Sequence, residues 1–170
     1  MHYGYEKKSI KRIRTKQCSG IKITRRNLSK VKKYNEALRD FNKLLKLEPN
    51  NILVLRLRGE IYQKLEKYDE TLTDFDKVLK LEPNNIPVLR LRGEIYQKLE
   101  KHNESLMDFD KVLEKEPNNA LTLRLRENSF KILKKYKEAL DDFNKILKIN
   151  PNDISVLNLI IETEKAKTKQ

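Results

Sequence analysis

A 34-residue period runs through most of this chain and constrains its fold more than any other feature. Prolines recur at that interval, at Pro49, Pro83, Pro117 and Pro151, and so do phenylalanines, at Phe41, Phe75, Phe109 and Phe143. The segment LRLRGEIYQKLEK at 55–67 is repeated unchanged at 89–101. A fixed period of this length indicates supersecondary units that stack on one another.

Each unit contains two amphipathic helical patterns. The first is predicted over about 52–66 and the second over about 69–81, because apolar residues recur in both at intervals of three or four: Leu55, Ile61, Tyr62, Leu65, Leu72, Phe75, Val78 and Leu79. Asp69 is placed to cap the second helix, and Asn103 is placed to do so in the next unit. Pro83 ends the second helix because the residue before a proline avoids the helical region.

A glycine in the first helix, an aromatic residue three positions later and a closing proline together resemble the tetratricopeptide repeat. The residues that carry the resemblance are Gly59, Tyr62, Tyr68, Phe75 and Pro83, then Gly93, Tyr96, Phe109 and Pro117, then Phe130, Tyr136, Ala139, Phe143 and Pro151. The sequence departs from the family pattern at Leu55, Leu89 and Leu123, where tryptophan is frequent, and at Glu127, where glycine is expected.

The resemblance implies an all-α fold, a right-handed α-solenoid of three full repeats with flanking half-repeats. The predicted divisions are a basic arm at 1–17, a degenerate or partial first repeat at 18–51, full repeats at 52–85, 86–119 and 120–153, and a C-terminal segment at 154–170. That last segment is either a capping helix or the truncated start of a further repeat, and exposure of Ile160 and Ile161 would favour the second reading or a dimer contact.

The resemblance also implies that the first helices line a concave groove. Helical spacing leaves a set of side chains exposed there: Arg56, Glu60, Gln63, Lys64, Arg90, Glu94, Gln97, Lys98, Arg124, Asn128 and Lys131. Six of them are basic and two are acidic, which favours a protein-interaction scaffold that binds an acidic peptide or partner. The alternative interpretation is that each arginine pairs with the glutamate one turn later. Leu57 and Leu91 replace the asparagine of family members that clamp chaperone tails, which argues against that ligand.

The N-terminal segment suggests a different partner. Residues 1–33 contain twelve Lys or Arg against Glu6 alone, a concentration typical of nucleic-acid binding or nuclear import. Six of these basic residues lie close together between positions 7 and 16 and are the candidate contacts for nucleic acid: Lys7, Lys8, Lys11, Arg12, Arg14 and Lys16. A solubilising tail is the alternative, and a regulatory fragment of a larger protein is a third hypothesis.

No motif favours catalysis. The carboxylates Asp74 and Asp76, Asp108 and Asp110, and Asp141 and Asp142 recur with the repeat, so we interpret them as a solvated face of the second helices. His2, His102 and the single Cys18 lack metal-ligand spacing, and there is no phosphate-binding loop or GxSxG motif. The sequence therefore predicts neither enzyme activity nor a cofactor. It favours a cytoplasmic protein, with the nucleus as the alternative.

Overall fold

The computed structural model describes residues 25–169 and consists of helices and short connections within that range. The helices are α1 (Arg25–Leu47), α2 (Ile52–Lys64), α3 (Tyr68–Leu81), α4 (Ile86–Lys98), α5 (His102–Lys115), α6 (Ala120–Ile132), α7 (Tyr136–Ile149) and α8 (Ile154–Lys167). The predicted all-α fold is confirmed. The basic residues from Lys7 to Lys16, together with Cys18, lie outside the described range.

The chain divides after Asp40 into two units. Of the first unit the structure describes residues 25–40, which form the N-terminal part of α1. No turn interrupts α1 between Arg25 and Leu47, so the described part of the predicted partial repeat is one continuous helix. The second unit contains the end of α1 and all seven later helices.

Asparagine caps define where the first helix of each full repeat begins. Asn51, Asn85 and Asn119 accept a hydrogen bond from the backbone N–H three residues later, at 3.1, 3.2 and 3.0 Å. Asp153 caps α8 in the same way at 3.2 Å. These side chains satisfy amide groups that have no partner inside a helix, so the three hairpins start at the predicted 34-residue interval.

The prediction that Asp69 and Asn103 cap the second helices was wrong. Both residues lie within the first turn, and the cap positions are Lys67 and Lys101, which make no side-chain cap hydrogen bond. The chain enters the second helix through a left-handed residue, Glu66, with φ of 58°. This conformation lets the Lys67 N–H donate to the Tyr62 carbonyl at 2.9 Å, which closes the preceding helix tightly and starts the next one early.

Phenylalanines hold the two helices of each repeat together. Phe75, Phe109 and Phe143 are fully buried. A Cβ atom added to Gly59 would lie 2.6 Å from Cε1 of Phe75, and one on Gly93 would lie 2.5 Å from Cε1 of Phe109. Glycine therefore allows the ring to lie directly against the backbone of the first helix in the first two repeats.

The helices pack in sequence order. Within the repeats α2 packs on α3, α4 on α5 and α6 on α7, while α3 packs on α4, α5 on α6 and α7 on α8 between repeats. One core cluster joins Leu55, Phe75 and Val88, and another joins Leu123, Phe143 and Val156. No helix among residues 25–169 is both long and apolar enough to cross a membrane.

Candidate protein-interaction face

Each first helix carries two arginines, two residues apart, that have different surroundings. We call Arg58, Arg92 and Arg126 the inner row and Arg56, Arg90 and Arg124 the outer row. Residues two apart on a helix point to different sides. The two rows consequently have separate roles, which the contacts of each make clear.

The inner row is engaged in structural ion pairs. Arg92 donates from Nε and Nη2 to the two carboxylate oxygens of Asp108 at 2.8 and 2.7 Å, and from Nη1 to Asp76 at 2.6 Å. Arg126 bonds Asp142 and Asp110 in the same way. Arg58 donates from Nε and Nη2 to Asp74, and its Nη1 donates to the side-chain oxygen of Asn42 on α1 rather than to a second aspartate. Each inner arginine thus joins the second helix of its own repeat to the helix that precedes the arginine's own helix in the chain.

The interpretation of the carboxylates as a solvated face was wrong for half of them. Asp74, Asp108 and Asp142 are only 1–2% exposed, because a guanidinium group from the first helix covers each one. Asp76 and Asp110 lie nearer the solvent, and Asp141 is exposed. Burial alone would lower the pKa of Arg92, but hydrogen bonds to Asp108 and Asp76 raise it overall. The inner arginines are therefore firmly cationic and not available to a ligand.

The outer row lies at the surface. Nη1 of Arg56 lies 2.5 Å from Glu60 and that of Arg90 lies 2.6 Å from Glu94, in pairs whose side chains are about 26–33% exposed. The pairing with a glutamate one turn later is therefore present in the first two repeats. Arg124 has Asn128 at that position and instead pairs with Asp153 and donates to Ser155.

Asp153, the partner of Arg124, is held in place by hydrogen bonds from Ser155 and from the Val156 amide. Its pKa is lowered first by the hydrogen bond from Ser155, then by the Val156 amide and by Arg124. The same side chain therefore caps α8 and holds Arg124.

The other residues predicted for the face divide into exposed and engaged ones. Lys64, Lys98 and Asn128 are exposed, and neither lysine makes an ion pair with any described residue. Gln97, by contrast, donates to the Leu125 carbonyl at 2.6 Å and to Ser129 Oγ at 2.7 Å. Gln63 and Lys131 are half-buried. Gln97 thus links α4 to α6, a role that helical spacing within one repeat could not reveal.

Glu127 is a buried carboxylate at the position of the repeat glycine. It is 5% exposed, its Oε1 atom has no hydrogen-bond partner, and Lys131 Nζ lies 3.6 Å away. Burial raises its pKa, while Lys131 and Arg124 partly oppose that shift and Asp142 adds to it. The ionised form therefore costs stability despite the nearby lysine.

We expect Glu127→Gln to increase the free energy of unfolding near neutral pH, because the buried carboxylate then no longer has to be ionised in the folded protein. The folded-state pKa of Glu127 lies above its ordinary value, so the folded protein holds this proton to higher pH than the unfolded chain. The wild type consequently loses stability relative to the variant as pH rises from the unfolded-state pKa of Glu127 to its higher folded-state pKa. Urea unfolding of both proteins at about pH 5 and about pH 8 checks this: the difference between them should widen at the higher pH, and a constant difference would contradict it.

Comparisons with known proteins agree with this architecture. Family models described as "Tetratricopeptide repeat" match residues 52–85, 89–119 and 128–153. No curated protein sequence matches the chain. No group of three or more His, Cys, Asp or Glu in the described range is arranged to hold a metal ion.

Several solved structures share the fold. "Crystal structure of MamA" aligns with a TM-score of 0.75 and 16% identity over 87% of both chains. A tetratricopeptide repeat protein from Parabacteroides merdae aligns at 0.71 and 24% identity over 76% of this chain and 52% of that one. The first TPR of Spaghetti (RPAP3), bound to the HSP90 peptide SRMEEVD, aligns at 0.62 and 25% identity over 68% of this chain and 91% of that one.

These findings agree with the helical pairs, the buried phenylalanines and the asparagine caps. Proteins built from such repeats generally mediate protein–protein interactions, and the repeat scaffold is typically not enzymatic. The chain belongs to the tetratricopeptide-repeat family.

Proposed function

We propose that this protein binds an acidic segment of a partner protein along the first helices, with the outer-row arginines as the main contacts. The observation that carries the proposal is the division of the arginines. The inner row is fully paired with buried aspartates. Arg56 and Arg90 pair only with a partly exposed glutamate on their own helix, and Arg124, although paired with Asp153, keeps 40% of its side chain exposed. A ligand in extended or helical form could meet one guanidinium group per repeat.

The existing partners of Arg56 and Arg90 do not prevent this. An ion pair between exposed residues one helical turn apart stabilises a helix by about 0.3–0.5 kcal/mol, and the order arginine before glutamate is the weaker one. A ligand carboxylate that binds a guanidinium group through two hydrogen bonds gains more than this. The pairs with Glu60 and Glu94 are therefore exchangeable, and Lys64 and Lys98 add uncompensated positive charge beside them.

The similar Spaghetti domain offers a precedent for such a ligand. The HSP90 peptide in that structure, SRMEEVD, contains two glutamates and one aspartate. In this chain Leu57 and Leu91 are half-buried on α2 and α4, next to the outer row in sequence. Leu91 packs against the core cluster of Leu89 and Val112. Neither leucine can make the hydrogen bonds of an asparagine, so we expect the ligand to be held by its carboxylates.

Selection from a random peptide library on the immobilised full chain tests the class of ligand. We expect enrichment of peptides with two or more Asp or Glu. Binding of these peptides should weaken steeply as salt rises, because charge attraction drives their association. Enrichment of neutral or basic peptides would contradict the proposal.

Nucleic-acid binding through residues 7–33 is the second candidate, on the strength of the twelve basic residues in the first 33. A full-length variant with glutamine at Lys7, Lys8, Lys11, Arg12, Arg14 and Lys16 separates the two functions. It should keep its affinity for the selected acidic peptides if the outer row binds them. Its affinity for single-stranded RNA should fall if the arm binds nucleic acid.

A further inference from the structure

The last described helix, α8, leaves an apolar stripe uncovered. Ile154, Leu157 and Ile161 are 72%, 41% and 51% exposed and lie one and two turns apart on one side of the helix. The opposite side is buried on α7 through Val156 and Thr163, each fully buried. Of the two apolar residues singled out in the sequence, Ile161 is exposed and Ile160 is half-buried. We call Ile154, Leu157 and Ile161 the α8 stripe.

The repeat register shows what covers the same positions elsewhere in this chain. Leu157 corresponds by the 34-residue period to Leu55, Leu89 and Leu123, which are at most 1% exposed. Ile161 corresponds in the same way to Gly59, Gly93 and Glu127, which are all buried. In each case the cover is an amphipathic second helix with a buried phenylalanine. α8 therefore presents the surface on which three such helices of this chain already pack.

The α8 stripe differs from its counterparts in one respect that determines the partner. Ile160 occupies the inner-row position, where Arg58, Arg92 and Arg126 each bind a buried aspartate. An aspartate opposite Ile160 would lose water without gaining a guanidinium partner, at a high cost in free energy. The matching helix must be uncharged and apolar at the place where α3, α5 and α7 have Asp.

We infer that the α8 stripe is a second interaction surface, independent of the outer row, which binds one amphipathic helix of a partner protein in the manner of a repeat's second helix. The partner helix has an apolar residue opposite Ile160. The interface is of the helix-on-helix type, in which apolar residues three, four and seven positions apart anchor the ligand.

Two synthetic peptides test this on the full chain. One has the α7 sequence, residues 136–149, and the other has the same sequence with Asp142→Leu. Both are followed by fluorescence anisotropy and by helix formation in circular dichroism. We expect the Asp142→Leu peptide to bind at least about tenfold more tightly than the unchanged one, and to gain helix on binding.

Variants of the chain assign the binding site. Leu157→Glu and Ile161→Glu should each weaken binding of the Asp142→Leu peptide at least about tenfold, since both side chains are exposed on the face that would contact the peptide. Met107→Glu, at an exposed apolar residue on α5, is the control and should leave binding unchanged. Helical content should be the same in all three variants.

Several results would overturn the inference. They are equal binding of the two peptides, no binding of either at millimolar concentration, or equal loss in the Met107 control. Sedimentation of the chain alone gives a further test. A dimer that dissociates on Ile161→Glu would also overturn the inference, because it would assign the α8 stripe to a second copy of the chain.

Discussion

Replacing Arg92 with methionine is expected to lower the free energy of unfolding by about 3 kcal/mol or more. Asp108 is 2% exposed, and Arg92 supplies both of the hydrogen bonds that its carboxylate oxygens receive from charged side chains. Methionine keeps most of the apolar side chain but leaves that carboxylate buried without its cation. It also removes the link to Asp76 on the preceding repeat.

The matched control lies two residues earlier on the same helix. Arg90→Met removes an arginine that pairs at the surface with Glu94, so we expect a change of about 0.5 kcal/mol or less. Urea unfolding followed by circular dichroism measures both variants. Similar losses in the two would show that the inner and outer rows do not differ as their contacts indicate.

Phe109→Ala should destabilise the protein by a comparable amount, about 3–4 kcal/mol, because the ring is fully buried. The site cannot collapse easily, since the facing residue is Gly93, whose backbone the ring contacts directly. Truncation would leave a cavity between α4 and α5, in the middle repeat. Loss of packing there should separate the unfolding of the flanking repeats, because neighbouring repeats stabilise one another only through their interfaces.

Phe130→Ala is the control of the same residue type. Phe130 is half-buried and its ring lies 5.4 Å from the guanidinium carbon of Arg126, so we expect a loss of about 1 kcal/mol. Thermal unfolding of both variants, followed by circular dichroism and by calorimetry, gives the comparison. A Phe109 variant no less stable than the Phe130 variant would mean that the buried phenylalanines do not hold the helix pairs together.

The period of the sequence was sufficient to predict the repeats but not the contacts between their side chains. Regular spacing of Pro, Phe and Gly follows directly from where helices end and where a ring meets a backbone, so the hairpins begin where expected. The inner-row ion pairs were missed because helical periodicity describes one helix at a time. A signal was present: each inner arginine precedes its buried aspartate by 16 residues, as Arg58 does Asp74, and the interval recurs in every repeat.

The surroundings of the side chains on the first helices were predicted in part for the same reason. Spacing on one helix predicted exposed side chains, and Lys64 and Lys98 are exposed whereas Arg56 and Arg90 are half-buried. It could not show that Gln97 donates to a carbonyl group on α6. The cap at Asp69 was misplaced because a left-handed residue at Glu66 shortens the turn, a conformation for which glycine or asparagine is the usual signal. Glu66, Glu100 and Lys134 all adopt this conformation without that signal.

The proposal that the outer row binds an acidic segment is tested most directly by the affinity of a library-selected acidic peptide for two variants of equal charge. The first is Arg56→Gln/Arg90→Gln/Arg124→Gln. The second is Lys77→Gln/Lys80→Gln/Lys111→Gln, which removes three exposed lysines from the second helices. We predict at least about a tenfold loss of affinity in the arginine variant and less than about twofold in the lysine variant at the same salt concentration. Equal losses in the two would reduce the interaction to net charge and contradict a binding site at the outer row.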